Sequence, residues 1–245
     1  MVELKKILVT GGAGKIGAHF VNKHAAEYAI TVVDIQTNHI NFPANVQVIQ
    51  ADLTDYKTCK ELIKEMDVVI HLAGIIDETE NDDALDINSL LIKNVFKATA
   101  ENKCNRLIFA SSAQTIEHHP NDLQIGKNRP VRPHNLYGVA KCLGEALASY
   151  YADQHGISAI CLRIGAYEFP ADHTEMNTRD LSAYLHPDDC NQLLVGCIET
   201  EGLHYEILNA ISNNRYKRLD ISESIEKVGY QPKADAFELF KWKSA

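Results

Sequence analysis

The stretch Thr10-Gly11-Gly12-Ala13-Gly14-Lys15-Ile16-Gly17 constrains this chain more than any other. It joins a β-branched run, Lys5-Lys6-Ile7-Leu8-Val9-Thr10, to residues of helical pattern that extend to Ala26. The run is short and apolar enough for a strand buried on both faces. Glycines at 12, 14 and 17 satisfy G-x-G-x-x-G spacing, and Gly11 adds the G-x-x-G-x-x-G variant. Gly11 and Gly12 permit a tight turn, Gly14 lets a pyrophosphate approach the backbone, and Gly17 lets the helix pack close on its strand. Unpaired N–H groups at the start of the helix then favour negative charge. By itself the bend also suits a plain strand-to-helix turn. The next run narrows the choice. Ile30-Thr31-Val32-Val33 ends in Asp34, about 20 residues beyond the bend, where dinucleotide folds bond the adenosine ribose. A carboxylate there repels a 2′-phosphate, so NAD is expected rather than NADP. On this reading Gly11, Gly14, Lys15, Ile16, Gly17 and Asp34 hold the cofactor.

The alternation continues. Strands are expected at 46–50, 68–72, 106–110 and 158–163, with helices at 55–65 (capped by Thr54), 84–101 and 135–155. Repeated units of this length predict an α/β fold, a Rossmann-type doubly wound parallel sheet covered on both faces. Ligands in such sheets bind beyond the carboxyl ends of the strands, where strand order reverses. That rule adds Asp52, Leu53, Leu72, Ala73 and Gly74 to the cofactor set and brings Ser111-Ser112 and Ile164-Gly165 to the same crevice. Beyond Gly165 the alternation weakens. Residues 166–186 read as a polar, irregular loop, followed by a helix at 187–199, a strand at 205–209 and a short helix at 222–228. Residues 1–165 are thus expected to form the NAD-binding domain with the catalytic residues, and 166–245 a small substrate-binding lobe built on its sheet, all within one compact unit.

A formal charge of −9 with scattered Lys and Arg excludes a basic nucleic-acid surface. No charged leader precedes an apolar core and no apolar stretch reaches membrane-spanning length, so a cytoplasmic protein without a membrane partner is expected. The six cysteines are dispersed without C-x-x-C spacing and read as reduced core residues. The eleven histidines include the pair His118-His119 but no His-x-x-x-His, and no metal site is expected.

Tyr137-Gly138-Val139-Ala140-Lys141 places a phenol and an ammonium four residues apart, on one face of a helix. A phenol of ordinary pKa near ~10 is a poor base at neutral pH. A neighbouring ammonium and the positive charge of a nicotinamide both favour the phenolate, and lowering the pKa by ~3 units takes roughly 4 kcal/mol of differential interaction. Ser112, after a strand whose end faces the same crevice, is placed to hydrogen-bond the substrate oxygen. The catalytic set is therefore Ser112, Tyr137 and Lys141, with Lys141 also assigned to the cofactor.

These motifs, together with His71-Leu72-Ala73-Gly74 and Asn88, resemble the extended short-chain dehydrogenases/reductases of the NAD-dependent epimerase/dehydratase type over about residues 4–165. The resemblance implies that Tyr137 transfers the proton, Lys141 holds the nicotinamide ribose, Ser112 orients the reacting oxygen and Asn88 supports the central helices. Within the family the likeness is greatest to the uronate dehydrogenases. It is carried by Ala110–Ile116, Arg132-Pro133, Leu136–Cys142, Gly144-Glu145, Leu162–Gly165 and Gly229-Tyr230-Gln231-Pro232-Lys233. It implies oxidation of C1 of a hexuronic acid, a small sugar-acid substrate, with Arg179 gripping the carboxylate through two parallel hydrogen bonds. The short segment after Gly165 also implies a sugar without a nucleotide. Three positions depart from the pattern: Ile76 stands where those enzymes place a serine, and Ala113-Gln114 where they place Asn-His. Ile76 and Ala113 remove hydrogen-bonding groups from the sugar side, whereas Gln114 still reaches a hydroxyl. Two other functions use the same residues: epimerisation or dehydration with recycled NAD, and NAD binding without turnover. Family members commonly dimerise through the helices that start near Ala84 and Asn135, so a homo-oligomer is expected.

Overall fold

A computed structural model describes residues 3–172 and 176–242. Seven parallel strands form the main sheet: β1 (Lys6–Thr10), β2 (Ala29–Asp34), β3 (Gln47–Gln50), β4 (Val68–His71), β5 (Arg106–Ser112), β6 (Ser158–Ile164) and β9 (Tyr205–Ala210). Their spatial order is β3-β2-β1-β4-β5-β6-β9, so strand order reverses between β1 and β4. In register, Thr10 lies beside Val33 of β2 and His71 of β4.

Period-two alternation divides each strand between two cores. Ile7, Val9, Ile108, Ile160 and Leu162 face one side. There they meet Phe20 and Val21 of α1 (Lys15–His24), Leu193 and Leu194 of α6 (Pro187–Glu199), and Val228 of α7 (Ser222–Val228). Leu8, Leu107, Phe109 and Cys161 face the other. Their partners include Ile63 of α2 (Tyr56–Ile63), Leu91 and Val95 of α3 (Asp82–Glu101), and Ala148 and Ala152 of α4 (Leu136–His155). The first core takes residues from both sides of Gly165, and β9 extends the sheet beside β6.

Helix ends follow local chemistry. Asn81 and Asn135 cap α3 and α4 by accepting from Ala84 N and Gly138 N. Gly156, at φ +70°, ends α4, where an L side chain would be strained. Thr54 is not the cap of α2. Asp55 is, accepting from the amides of Lys57 and Thr58, because a carboxylate reaches two donors at once. The described residues between 166 and 186 are also more ordered than their polar composition implied. They contain β7 (Ala166–Tyr167) paired with β8 (Tyr184–Leu185), a 3-10 turn (Pro170–Asp172) and α5 (Thr178–Ala183), capped by Asn177. Each piece is too short to show a repeating period, yet Leu181, Ala183, Tyr184 and Leu185 are buried. All six cysteines are free, five buried and Cys142 partly so. Among the described residues, no helix is long and apolar enough to cross a membrane.

α4 is set against the sheet by two contacts. A Cβ on Gly144 would stand 2.2 Å from the Phe109 ring, so only glycine permits this approach. One turn position away, buried Glu145 accepts from Arg163 Nε and Nη2, both at 2.8 Å, and from Ser111 Oγ at 2.7 Å. Removing one partner of such a pair strands the other charge in the interior, and Glu145→Ala is expected to cost about 3–5 kcal/mol. Urea denaturation measures it; a loss under about 1 kcal/mol would show that the pair does not hold the helix.

Candidate active site

The glycine bend reaches the crevice with its backbone exposed to the reversal point. Gly11 has φ +66°, and a Cβ there would lie 2.6 Å from Ala73 N, so the bend is pressed against the end of β4. A Cβ at Gly17 would lie 2.6 Å from the Cα of Gly12, which places the first turn of α1 directly on the bend. α1 begins at Gly14 without a side-chain cap and without an acidic residue in its first turn. Bare helical N–H groups behind a Cβ-free cradle are what a pyrophosphate requires, and this part of the chain fits a dinucleotide. Asp34, at the end of β2, accepts from Ala13 N at 3.1 Å and from Gln36 N at 3.3 Å, joining the bend to the ribose position. Lys15 projects to the far side of the cleft and pairs with Glu168 at 2.9 Å. Ile16 packs against the core.

The other residues assigned to the cofactor from the sequence cluster at neighbouring strand ends. Asp52 accepts from Thr54 N at 2.8 Å, and Leu53 is buried. Asn94 from α3 fixes this turn by donating to the carbonyls of Leu53 and Thr54. Leu72 and Ala73 follow β4, and Thr10 Oγ1 lies 2.7 Å from His71 Nδ1. Buried Asn88 holds the succeeding turn in both directions, accepting from Ile75 N at 2.8 Å and donating to Ile75 O at 2.9 Å. A Cβ on Gly74 would lie 3.0 Å from Asn88 Oδ1 and 3.7 Å from Lys141 Nζ, so Gly74, Asn88 and Lys141 meet.

Tyr137 and Lys141 sit on the same face of α4, as their spacing required. Lys141 Nζ lies 5.2 Å from the centre of the Tyr137 ring and 5.0 Å from that of Phe109. The Ser112 hydroxyl lies near the Tyr137 phenol and favours its charged form. The electrostatics differ from expectation. Burial pushes the Tyr137 phenol up to about 12; the Ser112 hydroxyl opposes this and Glu78 adds to it. Burial also brings Lys141 down to about 8. The ammonium faces ring carbons rather than the phenol oxygen, so desolvation of the phenol outweighs the charge expected to lower it. His71, fully buried near Lys141, is pushed down to about 3 by burial and then by that cation, and is neutral at physiological pH.

Beyond the end of β5, Gln114 is held at both ends. Its amide donates to Glu78 at 3.1 Å, and its carbonyl accepts from Asn135 at 3.4 Å. Ala113 is buried beneath it, while Ile76 is 77% exposed at the mouth. Arg179 starts α5, which lies across the end of β6: a Cβ on Gly165 would overlap Ala183 O. Its Nε donates to Glu117 Oε1 at 2.8 Å, its Nη2 to Glu117 Oε2, and its Nη1 to Asp180 Oδ1 at 2.7 Å. Glu78 and Glu117 were not singled out from sequence. Glu117 and Arg179 are 62 positions apart, and no local pattern joins them.

The model of the NAD dependent epimerase/dehydratase family matches residues 7–187, and the chain belongs to that family. Uronate dehydrogenase of Pseudomonas putida is 32% identical over 238 residues, 96% of this chain and 86% of that protein. L-arabinose 1-dehydrogenase (NAD(P)(+)) of Haloferax volcanii is 28% identical over 251 residues, 94% of this chain and 97% of that one. Among solved structures, a variant of uronate dehydrogenase from Agrobacterium tumefaciens, complexed with NAD, matches with TM-score 0.86 at 30% identity, covering 97% of this chain and 87% of that one.

The buried cation makes stability depend on pH. Lys141 has a folded pKa of about 8 against an ordinary 10.5, so between these values the unfolded chain binds more protons and stability rises with pH. Above pH ~10 the Tyr137 phenol, held protonated by the fold, reverses the trend. Relative to Lys141→Met, the wild type should gain roughly 2–3 kcal/mol between pH 7 and 10. Denaturant titrations of both proteins across that range check it, and a constant difference would refute the shift.

Proposed function

We propose that this protein is an NAD-dependent dehydrogenase that oxidises a hydroxyl of a small sugar, at C1 of the ring, with Tyr137 as the base. The observation that carries the reading is the convergence of Ser112, Tyr137 and Lys141 beside Gly74, at the strand reversal that also holds the glycine cradle. Gly11, Gly14, Ile16, Gly17, Asp34, Asp52, Leu53, Leu72, Ala73 and Gly74 line the cofactor's path in this reading. Bound NAD supplies the hydride acceptor.

In this reading the Ser112 hydroxyl hydrogen-bonds the substrate oxygen, and Tyr137, as the phenolate, takes the proton of that oxygen. With a pKa of about 12 the side chain is almost wholly the protonated phenol at neutral pH, and more positive surroundings lower that value and populate the phenolate, which makes proton removal depend on the loaded site. Lys141, held by the aromatic faces of Phe109 and Tyr137, supplies a cation that moves little. The similarity to uronate dehydrogenase and to L-arabinose 1-dehydrogenase supports oxidation of a small sugar, and the name of the second supports position 1.

NADH release from free aldoses and uronic acids tests the reaction. Tyr137→Phe should lower kcat/KM by about 10²–10⁴-fold while leaving NAD binding intact. If a sugar changes configuration without net NADH, the epimerase reading holds instead.

A further inference from the structure

Resting on the dehydrogenase reading, we infer that the sugar this site accepts is an uncharged aldose rather than a uronic acid, because Glu117 occupies the guanidinium that would grip a carboxylate. Arg179 offers its Nε and Nη2 edge to both oxygens of Glu117 and its Nη1 to Asp180, so the two-pronged edge that recognises a carboxylate is already filled. Burial disfavours the Arg179 charge, but its hydrogen bonds to Glu117 and Asp180 outweigh this and hold it on.

Glu117 is not free to swing aside. Its side chain is only 13% exposed, against 26% for Arg179. The backbone around it is tied down: Arg132 N donates to Thr115 O at 2.8 Å, and His118 N to Arg132 O at 3.0 Å. Arg218 fixes the following turn by donating to the carbonyls of His119, Pro120 and Leu123. Arg218 N also bonds Ser182 O at 2.9 Å, linking that turn to the helix that carries Arg179.

The opposite side of the mouth adds repulsion. Glu78 is close enough to Tyr137 to raise its pKa, and the segment from Asp77 to Asp83 holds five carboxylates and no cation. An entering carboxylate would therefore have to break a seated ion pair beside further negative charge, whereas a neutral hydroxymethyl or hydrogen in its place meets neither cost.

Calorimetric titration of NAD-loaded Tyr137→Phe, in which turnover is suppressed, compares D-galactose with D-galacturonate, D-glucose with D-glucuronate, and L-arabinose. The neutral aldose should bind at least ~10-fold more tightly than the uronate of the same configuration, and Glu117→Gln should shift that ratio at least ~10-fold towards the uronate. Tighter binding of a uronate, or no binding of any neutral aldose, overturns the inference; a ratio unmoved by Glu117→Gln overturns its assignment to Glu117. Failure of the dehydrogenase reading is separately visible, as aldose binding with no NADH from the wild-type protein.

Discussion

The position of α4 against the sheet is the constraint on which the site depends. A helix that lay an ångström further out would carry Tyr137 away from Ser112 and Lys141 away from Gly74. Two features prevent that, and they act differently. Gly144 removes the atom that would collide with Phe109, which permits the close approach. The Glu145–Arg163 pair then fixes which part of α4 meets β5 and β6, because its bonds are directional where dispersion contacts are not. Ser111, immediately before Ser112, donates into the same pair. The strand that supplies the hydroxyl and the helix that supplies the phenol thus share one buried carboxylate.

The same close packing sets the electrostatics. Excluding water from the helix face raises the phenol and lowers the ammonium together, since burial disfavours each charged form. At neutral pH the phenol is therefore protonated while Lys141, at about 8, is still mostly the ammonium, so the two do not form an ion pair. Neutral His71 below them adds no compensating anion, and Glu78 above works against the phenolate. Positive charge arriving with a ligand would lower the phenol's pKa and populate the phenolate, so in the proposed reaction the base forms only in the loaded site.

Much of this was legible in sequence because it is local or periodic. The strand runs, the glycine spacing, the acidic end of β2 and the four-residue step from Tyr137 to Lys141 each lie within one element, and the fold places them by a general rule about strand ends. The boundaries were less so. Thr54 and Asp55 are both competent caps by type, and only the geometry of the turn shows that the carboxylate reaches two amides. The pieces between 166 and 186 owe their form to partners far away, as when Ser212 N bonds the carbonyl of Tyr184. The phenol's environment was misjudged for a related reason. Four residues of helix bring two side chains to one face but do not say whether charge meets oxygen or ring.

Specificity falls on the parts that sequence describes least. In the proposed reaction the bond-making groups stand on β5 and α4, long elements with buried faces, whereas the groups assigned to the sugar stand on the segments that follow β4 and β5 and on the six residues of α5. Such segments are cheap to alter without disturbing the core, which is why relatives with one framework act on different sugars. Ile76, Ala113 and Glu117 follow this division. The first two withdraw hydrogen-bonding groups from the sugar side, and the third converts an available guanidinium into a satisfied one. A pocket that recognises its ligand less by charge must rely on hydroxyl contacts such as that of Gln114, whose amide is already oriented by Glu78 and Asn135. On the proposed reading the chemistry is kept, while the choice of sugar passes from a carboxylate grip to the shape and hydroxyl pattern of the ring.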